Sequence, residues 1–273
     1  MEKAIVAKKE EVLEKPEAAE KGADEKPKET TVEFLASLAA VLVTGLFIIT
    51  FVMQAFEIPS SSMEQTLLIG DHVFVNRVQF APKTSWTGPL FPYRDPRRGE
   101  IVVFFHPDLQ RYAGMYVVKR IIGVPGDRIR LRNGVVYRNG VALDEPYVLH
   151  DADDLTQHYR NDFPSVTPTE GDDLSADWST DLASHIQGQE LVVPPNNFFA
   201  MGDHRGVSMD SRYWGFIPRS HIIGRPMFIY WSFETPEGQY TKTSWGERVT
   251  FLAKIVIHFF DRTRWKRTLR VVR

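Results

Sequence analysis

RIRLRNGVVYRNGVA, running from Arg128 to Ala142, carries the pairs Asn133-Gly134 and Asn139-Gly140, each set between candidate strands. Asn and Gly readily take the positive φ angles of tight hairpin turns, so this stretch predicts an antiparallel meander. The same pattern spreads outward in both directions. Val73-Phe74-Val75, Ile101-Val102-Val103-Phe104-Phe105 and Tyr116 to Ile122 lie upstream; Glu190 to Val193, Asn197 to Met201 and Met227 to Phe233 lie downstream. All are rich in β-branched and aromatic residues, as strands require. The fold class expected is mostly β: an antiparallel β-sheet domain with a β-rich insertion, preceded by one N-terminal transmembrane helix.

That helix is read from Phe34 to Phe56, FLASLAAVLVTGLFIITFVMQAF. About 23 residues without a charge, at about 1.5 Å of rise each, span a bilayer core of about 30 Å. A buried helix of a soluble protein is seldom so long and so uniformly apolar. Lys21, Lys26 and Lys28 lie close before the span, and Arg77 is the first basic residue after it. This asymmetry puts the N-terminus in the cytoplasm and the remainder outside. Met1 to Glu33, mostly Glu, Lys, Ala and Pro, has almost nothing to bury and is expected to be a disordered tail.

With 43% hydrophobic and 25% charged residues in 273, the chain can hold one or two packed domains. A net charge of -2 implies no general nucleic-acid affinity. The absence of cysteine excludes disulfides, thiolate metal sites and a cysteine nucleophile. From His150 to Gln189 the chain turns acidic and loop-like, with Asp151, Asp153, Asp154, Asp172, Asp173 and Asp177. Its spacing lacks the alternating ligands, central Gly and closing Glu of a calcium loop, so a solvated insertion without a metal is expected.

Near the C-terminus Leu252, Ile255, Val256 and Phe259 have helical spacing, followed by Arg262, Arg264, Lys266, Arg267, Arg270 and Arg273. The apolar part is too short to cross a membrane. A helix lying on an anionic surface and a helix docked on the domain with a solvated basic end are both open. The organisation expected is therefore a tail over 1–33, a span over 34–56 and a β core over 57–130 and 196–247. An inserted β/loop subdomain occupies 131–195, and a basic amphipathic tail 248–273.

Directly after the span comes Ile58-Pro59-Ser60-Ser61-Ser62-Met63-Glu64-Gln65-Thr66-Leu67. Serine is a weak nucleophile until a neighbouring base removes its proton. Histidine is the usual base, and the chain has 8. Lysine serves if apolar surroundings keep it neutral. Among Lys83, Lys119, Lys242, Lys254 and Lys266, only Lys119 sits in a strong strand pattern, flanked by Tyr116, Val117, Val118, Ile121 and Ile122. Arg120 cannot substitute, because guanidinium stays protonated. On periodicity alone, Lys119 also reads as a surface lysine on a half-exposed strand.

Two further segments complete the series: Arg98-Gly99-Glu100-Ile101-Val102-Val103-Phe104, and the polar run from Gly202 to Gly215, GDHRGVSMDSRYWG. In order, these four segments resemble bacterial type I signal peptidases, membrane-bound serine proteases with a Ser-Lys dyad. The resemblance runs from the span to about Phe233, with Lys119 to Asp127 fitting the lysine motif. It implies Ser62 as nucleophile and Ser60 as an oxyanion donor beside the Ser62 N–H. Ser61 becomes a spacer, Lys119 the general base and Ser208 the hydroxyl that orients the lysine amine. Arg120, Asp203, Asp210 and Arg212 would shape the site through ion pairs, and Ile58, Pro59, Met63 and Val118 would line shallow apolar pockets.

The chain departs from the family at Gln65, where proline is usual and a looser turn is expected, and at His204, Gly206 and Val207. His204 beside Asp203 offers another base. The resemblance further implies a bacterial cytoplasmic-membrane enzyme that needs no cofactor and takes preproteins carrying signal peptides, with the lipid bilayer as its second partner. Ser62 follows Phe56 closely enough to lie within roughly 20 Å of the apolar core boundary. A specialised processing peptidase and a non-catalytic domain that binds exported proteins are the alternatives. The sequence leaves the oligomeric state open.

Overall fold

The computed structural model describes residues 30–81, 93–150, 158–168 and 173–273. Residues 1–29 of the tail expected over 1–33, with Lys21, Lys26 and Lys28, lie outside the described residues, as do Lys83, Asp151, Asp153, Asp154 and Asp172. The chain divides into two compact units, Met1–Val43 and Thr44–Arg273.

The first helix, α1 (Thr31–Phe47), starts earlier than Phe34 because its N-terminus is a capping box. Glu33 accepts the Thr30 N–H at 2.8 Å and its hydroxyl at 2.9 Å, while Thr30 Oγ1 accepts the Glu33 N–H at 3.3 Å. A π-helical turn (Ile48–Val52) continues it, giving an apolar helix of 22 residues from Thr31 to Val52. The helix stops at Val52 and not at Phe56. Met53–Glu57 instead forms strand β1, which pairs with β2 (Asp71–Asn76) from Met53 opposite Asn76 to Glu57 opposite His72. A sheet partner satisfies the backbone groups that the helix releases.

Two antiparallel sheets make up most of the second unit. The larger adds β3 (Ile101–Phe105), β4 (Tyr116–Gly123), β10 (Asn197–Met201), β11 (Ile217–Pro218), β12 (Ile222–Ser232) and β13 (Arg270–Val271). Its order is β1-β2-β12-β3-β4-β10-β11, with β13 paired to β12. The smaller sheet joins β5 (Arg128–Arg132), β6 (Val135–Arg138), β7 (Val141–Ala142), β8 (Ile186–Gln187) and β9 (Glu190–Val192) in the order β7-β6-β5-β9-β8. The Asn-Gly turns fall where the meander requires them, with φ of 49° and 54° at Asn133 and Asn139.

Strand β3 is covered on both faces. Val102 and Phe104 enter the larger core with Ile121, Phe199, Met201 and Trp214. Ile101 and Val103 enter a smaller core with Ile58, Met63, Leu67, Val73 and Ile229. The alternation of β4 follows, so Lys119 opposite Val102 and Val118 opposite Val103 lie on different faces.

Two expectations need correction. The acidic stretch is not simply a solvated insertion, since Tyr159, Phe163 and Trp178 are buried in the larger core. Of the short helices, α2 (Leu109–Tyr112) lies between β3 and β4 and α5 (Ser211–Trp214) follows β10. In the acidic stretch α3 (His158–Asn161) carries Tyr159 inward and α4 (Ala176–Asp181) carries Trp178, while Phe163 follows α3. The C-terminal basic run is not a solvated tail either. After α6 (Trp245–Ile257) the chain returns to place Val271 opposite Phe228 and to bury Val272. Arg264 and Arg267 turn inward to the buried Asp71. On the outer side of α6, Trp245, Val249, Leu252 and Val256 are exposed, while Phe251 meets the Phe233 ring edge-on at 6.4 Å.

Candidate active site

Strand β1 delivers the chain to a 3₁₀ turn at Ser61–Met63. Met63 is buried in the smaller core, and its carbonyl accepts the N–H groups of Thr66 (3.1 Å) and Leu67 (2.8 Å). Gln65 has a φ of 77°. Proline, locked near -65°, cannot occupy that conformation, so Gln65 accompanies a differently closed turn rather than a looser one.

Strand β10 ends at Met201, which pairs with Arg120, and Gly202 next to it lies against the Ser62 carbonyl. Lys119 Nζ donates to Ser62 Oγ at 2.5 Å, and Ser60 Oγ lies 3.4 Å from the same hydroxyl. Lys119 is buried, and burial lowers its pKa to about 8; Asp210 and Asp203 pull it upward, and Arg212 pushes it down. The ammonium loses its hydration in this setting, so the neutral amine is accessible near physiological pH.

The loop after β10 wraps around the pair. The His204 N–H donates to the Ser62 carbonyl at 3.1 Å. A Cβ on Gly202 would collide with that carbonyl and with Ser208 Oγ, which explains a glycine at this close backbone approach. Arg120 reaches Asp203 through two contacts (2.8 and 2.6 Å), donates to the Gly99 carbonyl at 2.9 Å and stacks 3.8 Å from the Tyr147 ring centroid. Arg212 holds Asp210 through two contacts of 2.8 Å. Burial would raise the Asp210 pKa, but Arg212 outweighs it and keeps the carboxyl below its ordinary range.

Ser208 is fully buried, yet its hydroxyl makes no hydrogen bond to a described residue, Lys119 included. His204 Nδ1 lies 3.4 Å from Glu64 Oε2. The pair opens into a cavity of about 680 Å³ lined by Ser60, Ser62, Lys119, His106, Tyr112, Met115, Tyr213 and Trp214, among others. Ile58, Pro59, Met63 and Val118 are not in that lining. Ile58 and Met63 point from the turn into the smaller core, Val118 lies on the other face of β4, and Pro59 is half-buried. The apolar wall comes instead from the β3–β4 connection and the loop after β10.

Sequence reading missed Thr66 and His106. The Thr66 hydroxyl donates to Asp203 at 2.5 Å, which ties the serine turn to the Arg120 pair. His106 Nδ1 accepts the Asp108 N–H at 3.1 Å, and its ring packs on Tyr112 and Trp214. Neither residue carried a local signal, because both partners are distant in sequence or irregular in backbone.

The family model described as signal peptidase, peptidase S26, matches residues 31–231. A probable signal peptidase I-2 of Synechocystis sp. is 32% identical over 207 residues, covering 75% of this chain and 75% of that protein. The signal peptidase I of Haemophilus influenzae is 30% identical over 271 residues, covering 84% and 78%. A solved signal peptidase I from Enterococcus faecalis V583 shares 32% identity over 48% of this chain and 97% of its own, at a TM-score of 0.31.

Proposed function

The chain belongs to the signal peptidase, peptidase S26, family and is a serine endopeptidase; from that premise we propose that it is membrane-tethered and removes N-terminal signal peptides from exported preproteins through a Ser62–Lys119 dyad. The observation that carries the proposal is the 2.5 Å contact between Lys119 Nζ and Ser62 Oγ in a buried setting.

Neutral Lys119 takes the Ser62 proton as Oγ bonds to the scissile carbonyl carbon. The Ser62 N–H and the Ser60 hydroxyl receive the oxyanion. The tetrahedral species collapses, the C–N bond breaks, and the Lys119 ammonium returns its proton to the leaving amine. Lys119, neutral again, takes a proton from water as that water attacks the acyl ester; the ester C–O bond then breaks, the Lys119 ammonium returns the proton to Ser62 Oγ, and the signal peptide leaves as a carboxylic acid. Arg120, Asp203, Asp210 and Arg212 hold the two walls of the site. Ser208, whose hydroxyl is buried against Gly202, is assigned to steadying the lysine amine once substrate closes the cavity. A histidine base is disfavoured, since His204 Nδ1 faces Glu64 and Lys119 already contacts the serine.

The apolar helix Thr31–Val52 supports a single span of the bacterial cytoplasmic membrane, and the lysines before it in the sequence support a catalytic unit on the outer side. Since the helix ends at Val52, an extended chain lets Ser62 lie up to about 35 Å from its end, farther than the sequence alone suggested. The exposed α6 stripe, near the basic Arg248 and Arg262, supports a second contact with lipid.

Cleavage of a preprotein by proteoliposomes carrying wild type, Ser62→Ala or Lys119→Ala tests the assignment. Both variants should lose processing while remaining folded. Cleavage by Ser62→Ala at the wild-type rate would overturn it, and preprotein bound but never cut by wild type would favour a binding domain.

A further inference from the structure

Asp71, at the start of β2, has no solvent exposure and collects partners from three parts of the chain. It accepts the Leu68 N–H at 2.8 Å and the Ser232 hydroxyl at 2.6 Å. Arg267 reaches it at 2.5 and 3.2 Å, and Arg264 stands 3.7 Å away. A buried carboxylate of this kind needs cationic partners, and here both come from beyond α6, at the far end of the chain.

The arginines also grip the backbone that follows the nucleophile. Arg267 Nη2 donates to the Thr66 carbonyl at 3.0 Å, and Arg264 Nη2 to the carbonyls of Ile69 (2.6 Å) and Phe233 (2.9 Å). Thr66 then faces the other way through its hydroxyl, which donates to Asp203 Oδ2 at 2.5 Å. That same oxygen receives Arg120 Nη2 at 2.6 Å, and Arg120 adjoins Lys119 on β4. A continuous set of contacts therefore runs from the C-terminal segment, through both ends of one threonine, to the strand that carries the base.

We infer that Arg267 is a positioning residue for the proposed reaction: by holding the Thr66 carbonyl against Asp71, the C-terminal segment fixes the nucleophile turn on the Asp203–Arg120 pair and so sets the approach of Ser62 to Lys119. The C-terminal strap belongs to the active site mechanically although it lines no part of the cavity. Arg264 secures the next stretch of the same backbone, which keeps the turn from sliding along the sheet.

The inference rests on the Ser62–Lys119 reading, so the assay is preprotein cleavage by the full chain in proteoliposomes, with wild type and Ser62→Ala as references. Arg267→Lys keeps a positive charge for Asp71 but loses the planar fork that reaches Thr66 as well. Arg267→Lys and Arg267→Ala should lower kcat by about 10- to 100-fold, the scale expected for a small misplacement, with KM within about twofold. Ethylguanidinium should restore kcat in Arg267→Ala and leave Lys119→Ala inactive. Thr66→Val breaks the same connection one step later, so its effect on kcat should be less than additive with Arg267→Ala.

Wild-type kcat in folded Arg267→Lys would overturn the inference while leaving the dyad untouched. Losses that add fully with Thr66→Val, track thermal stability and resist ethylguanidinium would overturn it too, by assigning the strap to stability alone. Failure of wild type to cleave would count against the dyad reading instead.

Discussion

Lys119 Nζ stands 2.5 Å from Ser62 Oγ, one residue beyond the point where strand β10 stops at Met201, opposite Arg120. The lysine is buried, and that burial brings its pKa to about 8. Only the neutral amine accepts the serine proton. Below about pH 8 the ammonium predominates, so kcat/KM should rise about tenfold per pH unit up to that point and then level off. A rate profile from pH 6 to 10 reads this directly, and a flat one would exclude Lys119 as base.

The same burial makes the charged lysine a cost to the fold. The unfolded chain holds its lysine proton up to about 10.5, whereas the folded chain releases it near 8. Between those values the unfolded state binds more protons, so stability rises with pH across that window. Lys119→Met should be inactive but melt higher than wild type at pH 7. The gap should shrink as pH climbs from about 8 towards 10, and a gap that stays constant would contradict the assignment.

Asp210 is the carboxylate that most raises the Lys119 pKa, and it is also the buried partner of Arg212. Asp210→Asn removes that influence, so the acid limb of the rate profile should move to lower pH. It also leaves Arg212 without its charge partner, and breaking a buried pair costs about 3–5 kcal/mol. Thermal melts and the residual rate profile, measured together, separate the effects.

Ser60 Oγ sits 3.4 Å from Ser62 Oγ, and the proposed mechanism makes it an oxyanion donor. Ser60→Ala should reduce kcat by about 10²–10³ with little change in KM, the usual effect of losing one oxyanion donor. Ser60→Thr, which keeps the hydroxyl, should recover much of it.

The outer stripe of α6 makes a membrane contact measurable. The chain has no cysteine, so Trp245→Cys provides a single labelling site on a residue that is 84% exposed. An environment-sensitive label there should shift to the blue and be quenched by spin-labelled lipid in anionic vesicles, and less so in neutral ones. An unchanged spectrum in both would leave α6 facing water.

How much of this was legible in the sequence depends on the range of the forces involved. Local chemistry determined the Asn133-Gly134 and Asn139-Gly140 turns, the strand character around Lys119 and the apolar helix, because turn φ preference, alternation and hydrophobicity act between near neighbours. The family motifs, read in order, named Ser62 and Lys119 as the pair to examine. Tertiary structure alone decided the rest. Whether the helix ran to Phe56 depended on β2 being available to pair Met53 with Asn76. The acidic stretch could not announce that Trp178 and Phe163 enter the larger core. The basic tail looked solvated because its partner, Asp71, lies 196 residues before Arg267 in the chain. Pairings at that separation leave no local pattern; they arise only when the sheet brings both ends of the chain to the back of one serine turn.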